Sequence, residues 1–269
     1  MSAFSAINAA LADFERPRPR PLRRQEIAWR QTTPSLRLPL ADGLGCWRQL
    51  GAQQQPKALL LHGWGGDAAA YAPLARALTA AGWQAIIPDL PGHGDARGEA
   101  YGYAAQLRWL GALQRRLGPF ALIIAHSAGA VLAEAALAAG TLKAEARVLL
   151  AAPVTLVSLF QRYLQQTRQS LFSAPQLAAA YLDAQQLSRA LLDPAHHSAD
   201  GKLLICHGAQ DRIIAPHQAV RLAAALPHAR LWRPTDTGHM GLLQHADLFH
   251  QIADFHPLPG RKPTDAIYA

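Results

Sequence analysis

The chain has 269 residues, half of them hydrophobic and only 16% charged, which excludes global disorder and allows one large buried core. Its formal net charge is +8, and half of that falls in residues 1–37, where Arg16, Arg18, Arg20, Arg23, Arg24, Arg30 and Arg37 face Asp13, Glu15 and Glu26. So localised a charge argues against a nucleic-acid-binding surface, and with no apolar run long enough to span a bilayer, stable membrane insertion is not expected.

At the N-terminus, Phe4, Ile7, Leu11 and Phe14 fall at helical spacing and predict a short amphipathic helix over residues 3–14. The positive charge follows this apolar part, the reverse of a secretory signal, so a cytoplasmic location is expected. RPRPRPLRR (16–24) must be extended, because alternating prolines forbid a helix. Residues 1–34 are therefore read as an arm. The simpler expectation is a solvated arm whose helix docks on the body; the alternative is an anchor for an acidic surface or a membrane.

From residue 35, strand-like and helix-like segments alternate. SLRLPL and GCWRQL, joined by ADGL, predict a hairpin. KALLLHG (57–63) is an unbroken apolar run ending in glycines, as a buried parallel strand should be. Residues 67–82 predict a helix with Asp67 as its cap and Gly82 closing it. Strand WQAIIPDL follows, then a helix over 101–118, strand PFALIIA, a helix over 127–140 and strand ARVLLAAP. Residues 154–199 show no strand but carry helical stripes such as Leu156, Leu159, Phe160, Tyr163 and Leu164. The alternation resumes with KLLICHG (202–208), a helix over 217–228, strand ARLWRP and a final helix over 240–255; the tail after Pro257 reads as loose. Cys46 and Cys206 lack metal-like spacing and read as reduced core residues, which fits a cytoplasm.

Such alternation predicts an α/β fold with a mostly parallel sheet covered on both faces, its core at 35–153 and 200–256 and a helical cap inserted at 154–199. A sheet of this kind binds its ligand outside the C-terminal ends of the strands. Three strand ends carry capable residues. Ser127 ends PFALIIA and opens a helix, flanked by the small residues Ala125, Ala128 and Gly129. A serine there sits on a strained turn with its hydroxyl held out of the sheet. The Ala128 amide, at a helix N-terminus, points into the same space and suits an oxyanion. Asp211 follows KLLICHG and His239 follows ARLWRP, in the chain order nucleophile, acid, base. His239 would take the serine proton, and Asp211 would hold the imidazole tautomer. The Trp64 amide, in LLLHGWGG, is the candidate second oxyanion donor.

HGWGG (62–66), PDLPGHGDA (88–96), AHSAGA (125–130), HGAQD (207–211) and TGHMG (237–241), in this order, resemble the α/β-hydrolase superfamily over about residues 35–256. The nearest likeness is to small bacterial α/β hydrolases carrying HGWGG and AHSxGA. The resemblance implies a predominantly eight-stranded sheet, a Ser-His-Asp triad, a backbone oxyanion hole and a helical cap. Ala125 departs from the family's usual G-x-S-x-G, but a methyl is still small enough for the strand–helix crossing. A serine nucleophile argues against the branches of the family that attack with a carboxylate.

His62 and His93 are expected to brace loops, Asp89 to be structural, and His126 to point away from the reacting carbon, toward the cap. His196-His197 lacks a third ligand nearby, so no metal is expected, and the triad requires no cofactor. Pocket candidates are Trp64, His126, Leu156, Phe160, Tyr163 and Met240; cap residues such as these, with Leu171, Phe172 and Tyr181, either line an acyl pocket or bury the cap on the body. The expected function is an esterase or thioesterase acting on a small-molecule ester or thioester of a small, fairly apolar acyl group. The alternatives are an acyltransferase or perhydrolase with the same triad, and a non-catalytic binding protein that uses the Arg-Pro arm.

Overall fold

The computed structural model describes residues 3–40, 43–96, 102–194 and 201–258. Eight strands form one sheet: β1 (Leu36–Leu40), β2 (Gly43–Leu50), β3 (Lys57–Leu61), β4 (Gln84–Asp89), β5 (Phe120–His126), β6 (Ala144–Leu150), β7 (Lys202–Cys206) and β8 (Arg230–Trp232). Their spatial order is β1-β2-β4-β3-β5-β6-β7-β8. The pairs β1–β2 and β2–β4 are antiparallel, and the rest are parallel. This is the α/β-hydrolase fold that the sequence motifs imply.

The apolar strands are buried on both faces. In β3, Leu59 and Leu61 face one helical layer while Ala58 and Leu60 face the other. In β5, Ile123 and Ala125 alternate with Leu122 and Ile124 in the same way. A strand's period of two requires this, so a sheet covered twice reads as a continuous apolar run. One layer holds α4 (Tyr103–Leu117), α5 (Ala128–Ala138) and α8 (His217–Ala225); the other holds α3 (Ala72–Ala80) and α9 (Leu248–Phe255). Between β6 and β7, α6 (Leu156–Thr167) and α7 (Ala174–Gln185) pack on each other over the first layer. Cys46 and Cys206 are free and buried. Among the described residues, no helix is long and apolar enough to cross a membrane.

The N-terminal segment is more ordered than an arm. Helix α1 (Ala3–Glu15) docks on α7, and Phe14 stacks on Phe160 at 4.1 Å and meets Tyr163 and Tyr181 edge-on. A second helix, α2 (Arg24–Thr32), was not legible in the sequence. Its start is held by Glu26, whose carboxylate accepts from the Arg23 amide at 2.7 Å, and Trp29 is buried in the opposite layer. RPRPRPL is thus extended, but it links a helix in one layer to a helix in the other. The expected final helix is also divided. Gly241–Gln244 is a 3-10 turn, and α9 starts only after His245, whose backbone is extended (φ −66°, ψ 130°). The His245 ring accepts the Asp247 amide at 3.1 Å, a local bond that competes with helix continuation.

If α1 is an integral part of the core, Phe14→Ala should lower stability by about 3 kcal/mol, the usual cost of emptying a buried aromatic site. Urea unfolding measures this; an unchanged midpoint would mean that α1 is dispensable.

Candidate active site

Ser127 sits where β5 ends and α5 begins, with φ 54° and ψ −125°. That region is costly for a residue with a Cβ, so the turn is held by its surroundings. Its amide donates to the Leu150 carbonyl at 2.8 Å. Helix α5 also lies hard against the end of β3: a Cβ on Gly129 would come within 2.4 Å of the His62 carbonyl oxygen. The crossing therefore demands small residues, and Ala125, fully buried between Leu61 and Leu149 of the neighbouring strands, is small enough.

Asp211 and His239 come together from the loops after β7 and β8. Asp211 Oδ2 accepts from His239 Nδ1 at 2.7 Å, and Oδ1 accepts the amides of Ile213 and Ile214 at 2.8 and 2.9 Å. A fourth donor is His207, whose Nε2 lies 3.1 Å from Oδ2 and 3.0 Å from the Ile214 carbonyl. Both neighbours are acceptors, so this nitrogen carries the hydrogen. Burial alone would raise the Asp211 pKa. The bonds from His207 and His239, the charge of His239 and the Ile214 amide reverse that and hold the carboxyl well below its ordinary range. With Nδ1–H committed to Asp211, His239 Nε2 is the basic nitrogen. Ser127 and His239 line the same cavity, although the Ser127 hydroxyl makes no hydrogen bond to His239 among the described residues. His207 is the residue that the sequence reading overlooked: HGAQD appeared there only as a motif, yet a histidine four residues before the carboxylate on a buried strand end was the available signal.

The HGWGG loop lies beside the serine. The Trp64 and Ala128 amides donate to no backbone carbonyl among the described residues, so both are free to meet an oxyanion. His62 is neutral with its hydrogen on Nδ1, which donates to the Gly63 carbonyl at 2.8 Å while Nε2 accepts the Leu90 amide at 3.0 Å. His93 contacts the Pro91 carbonyl at 3.0 Å. Asp89 accepts from the Arg48 guanidinium and the amides of Ala68 and Asp95, and so braces the PDLPGHG loop. His126 does not turn toward the cap. Its Nε2 lies 3.1 Å from the His239 carbonyl oxygen, and its ring centroid is 4.6 Å from that of His239. The reason is space: the β5 end opens onto the His239 loop.

The cavity over Ser127 measures about 310 Å³. Trp64, His126, Tyr163 and Met240 line it; Leu156 and Phe160 do not. Helix α6 carries two stripes. Leu156, Phe160 and Tyr163 face the core, where Phe160 stacks on Phe14, while Leu159, Arg162, Tyr163 and Gln166 face the cavity. The apolar spacing pointed to the first stripe, but the polar positions of the second, also at helical spacing, reach the cavity. Tyr181 is buried against Tyr103, Phe172 packs on the core, and Leu171 is exposed. Phe14, Arg16, Arg18 and Arg20 also line the cavity and were not anticipated there. His196-His197 lies outside the described residues.

The model of the Alpha/beta hydrolase family matches residues 58–252. Among curated proteins no match was found. Solved structures of the same fold include a thermophilic esterase from Thermogutta terrifontis (17% identity, 82% of this chain and 97% of that one, TM-score 0.62). The thioesterase domain of the curacin biosynthetic pathway is similar at 16% identity (82% and 98%, TM-score 0.62). A hydrolase from Pseudomonas aeruginosa PA01 is similar at 17% identity (83% and 98%, TM-score 0.66).

Burial lowers the pKa of His62 and His126, and it lowers that of His93 to about 3. The fold holds these rings neutral, whereas the unfolded chain protonates them near about 6.5. Their stabilisation is present above that pH and is lost below it, at about 1.4 kcal/mol per ring per pH unit. The depressed Asp211 adds a further loss only below about 4. The urea midpoint should therefore be lower at pH 5.5 than at 7.5. Equal midpoints would show that these rings are protonated in the fold.

Proposed function

Because the chain belongs to the α/β-hydrolase family, we propose that it is a serine hydrolase cleaving an ester or thioester of a small, fairly apolar acyl group. The observation that carries this reading is the 2.7 Å bond from His239 Nδ1 to Asp211, formed beside the cavity that Ser127 lines from its strained turn. In this reading His239 Nε2 takes the hydroxyl proton as Ser127 Oγ attacks the acyl carbon. The Trp64 and Ala128 amides stabilise the oxyanion. Collapse breaks the bond to the leaving oxygen or sulfur, which takes its proton from His239. Water, deprotonated by His239, then attacks the acyl-enzyme and releases the acid and free Ser127. Asp211 stays ionised throughout, which its four donors support.

The acyl size follows from the walls. Phe14, Leu159, Met240 and Leu243 give the cavity an apolar surface, and its volume suits a short chain. The esterase and the thioesterase among the similar structures support ester or thioester chemistry. His207 is read as a positioning residue that holds Asp211 from behind. No step needs a metal or an organic cofactor.

Wild type should form one covalent adduct with a fluorophosphonate probe, read by intact mass, and Ser127→Ala should form none. Hydrolysis of p-nitrophenyl butyrate should fall on the order of 10⁶-fold in that variant, the scale seen when a triad serine is removed. A folded wild type with neither adduct nor hydrolysis would overturn the reading.

A further inference from the structure

The cavity that holds Ser127 is bordered by four arginines from two distant parts of the chain. Arg16, Arg18 and Arg20 come from the extended stretch after α1, and Arg162 comes from α6. The stretch is pinned there rather than draped. Helix α1 packs in one layer and Trp29 of α2 in the other, so residues 16–23 must cross the edge of the sheet where the strands end. They run directly over the HGWGG loop. Gly65 has φ +71°, and a Cβ on it would lie 2.3 Å from the Arg18 carbonyl oxygen. The Arg20 amide donates to the Gly65 carbonyl at 3.4 Å. Beyond the crossing, the Arg23 guanidinium bonds Gln244 of the 3-10 turn.

The charges at this rim do not cancel. Asp13 accepts from Arg18 at 2.7 Å and also from the Tyr163 hydroxyl at 3.0 Å. Glu26 takes both terminal nitrogens of Arg20, at 2.7 and 2.6 Å. Arg16 and Arg162 have no carboxylate partner among the described residues, and Arg162 Nε is buried without a hydrogen bond. The other carboxylate of the site, Asp211, is committed to His239 and His207. Two positive charges therefore remain at the mouth of a largely apolar cavity. A buried guanidinium donor without a partner is unfavourable, and an anionic oxygen is the acceptor that satisfies it best. Planar guanidinium forks suit carboxylate and phosphate oxygens in particular.

We propose that Arg16 and Arg162 bind an anion at this rim, beside the paired Arg18 and Arg20, and that the ester or thioester cleaved at Ser127 carries a carboxylate or phosphate. This rests on the serine-hydrolase reading and narrows its substrate class. The arm is then part of the binding site. Its prolines keep it extended, so the backbone that carries Arg16, Arg18 and Arg20 is already held at the mouth before binding.

Two matched pairs test this. For an anion on the acyl side, mono-p-nitrophenyl glutarate is compared with p-nitrophenyl pentanoate. For one on the leaving group, S-butyryl phosphopantetheine is compared with S-butyryl pantetheine. At low salt the anionic member of at least one pair should have the higher kcat/KM, by about tenfold for one good charge-assisted contact. The advantage should shrink as salt is added. It should fall to near one in Arg16→Gln/Arg162→Gln, with each single variant as a check on folding, and persist in Arg221→Gln, an exposed position on α8. Whichever pair shows the preference identifies the side that bears the anion. Cleavage of the neutral esters with no anionic preference in either pair overturns the rim and leaves the hydrolase reading standing. A preference that survives the double variant also overturns the rim. Failure to cleave any of the four, with no fluorophosphonate adduct, overturns both.

Discussion

Leu59 and Leu61 are buried against one helical layer, and Ala58 and Leu60 against the other. The rest of the structure depends on this two-sided burial. A sheet with both faces dry offers no surface for polar chemistry, so reactive groups can stand only where the strands end and their backbone turns outward. Ser127 ends β5, the HGWGG loop ends β3, Asp211 lies beyond β7 and His239 beyond β8. The parallel register of these strands brings their C-terminal ends to one edge, which is why residues more than a hundred positions apart share one cavity.

At that edge the protein holds a dense set of polar groups in little water. Asp211 is buried, yet it remains a strong acid because four donors converge on its two oxygens. His126 goes the other way. Burial and the nearby His239 keep it neutral. His62, neutral and of fixed tautomer, joins the HGWGG loop to Leu90 of the next strand end. Asp211, His126 and His62 are thus each confined to one protonation state by their surroundings.

The N-terminal segment changes character once its two helices are placed. Phe14 closes the aromatic cluster formed by Phe160, Tyr163, Tyr181 and Trp64, so the first helix helps to roof the cavity. Trp29 anchors the second helix on the far side of the sheet, against the turn at Ala68–Tyr71. The stretch between them has no choice of route. A run whose composition suggests a solvated tether becomes a border of the site because both its ends are tied down.

Much was legible from the sequence because it is locally determined. The unbroken apolar runs at 57–61 and 120–125 require burial on both faces, and small residues around Ser127 require a tight strand–helix turn whatever lies elsewhere. The motif order placed Ser127, Asp211 and His239 at strand ends. Other features depended on partners that no local pattern names. Leu156 and Phe160 obey a perfect helical stripe, but which stripe of α6 faces the cavity was decided by Phe14, which arrives from the first helix. His126 turns to the His239 carbonyl because that loop fills the space beside it. The places of His207 and the four arginines at the site depend on where Asp211 and the two N-terminal helices come to rest. Sequence by itself determined the elements, the two-faced sheet and the residues at its strand ends, since these follow from periodicity and steric demand within a few residues. Tertiary structure alone decided what walls the cavity and what charge surrounds it, since those are contacts between segments far apart in the chain.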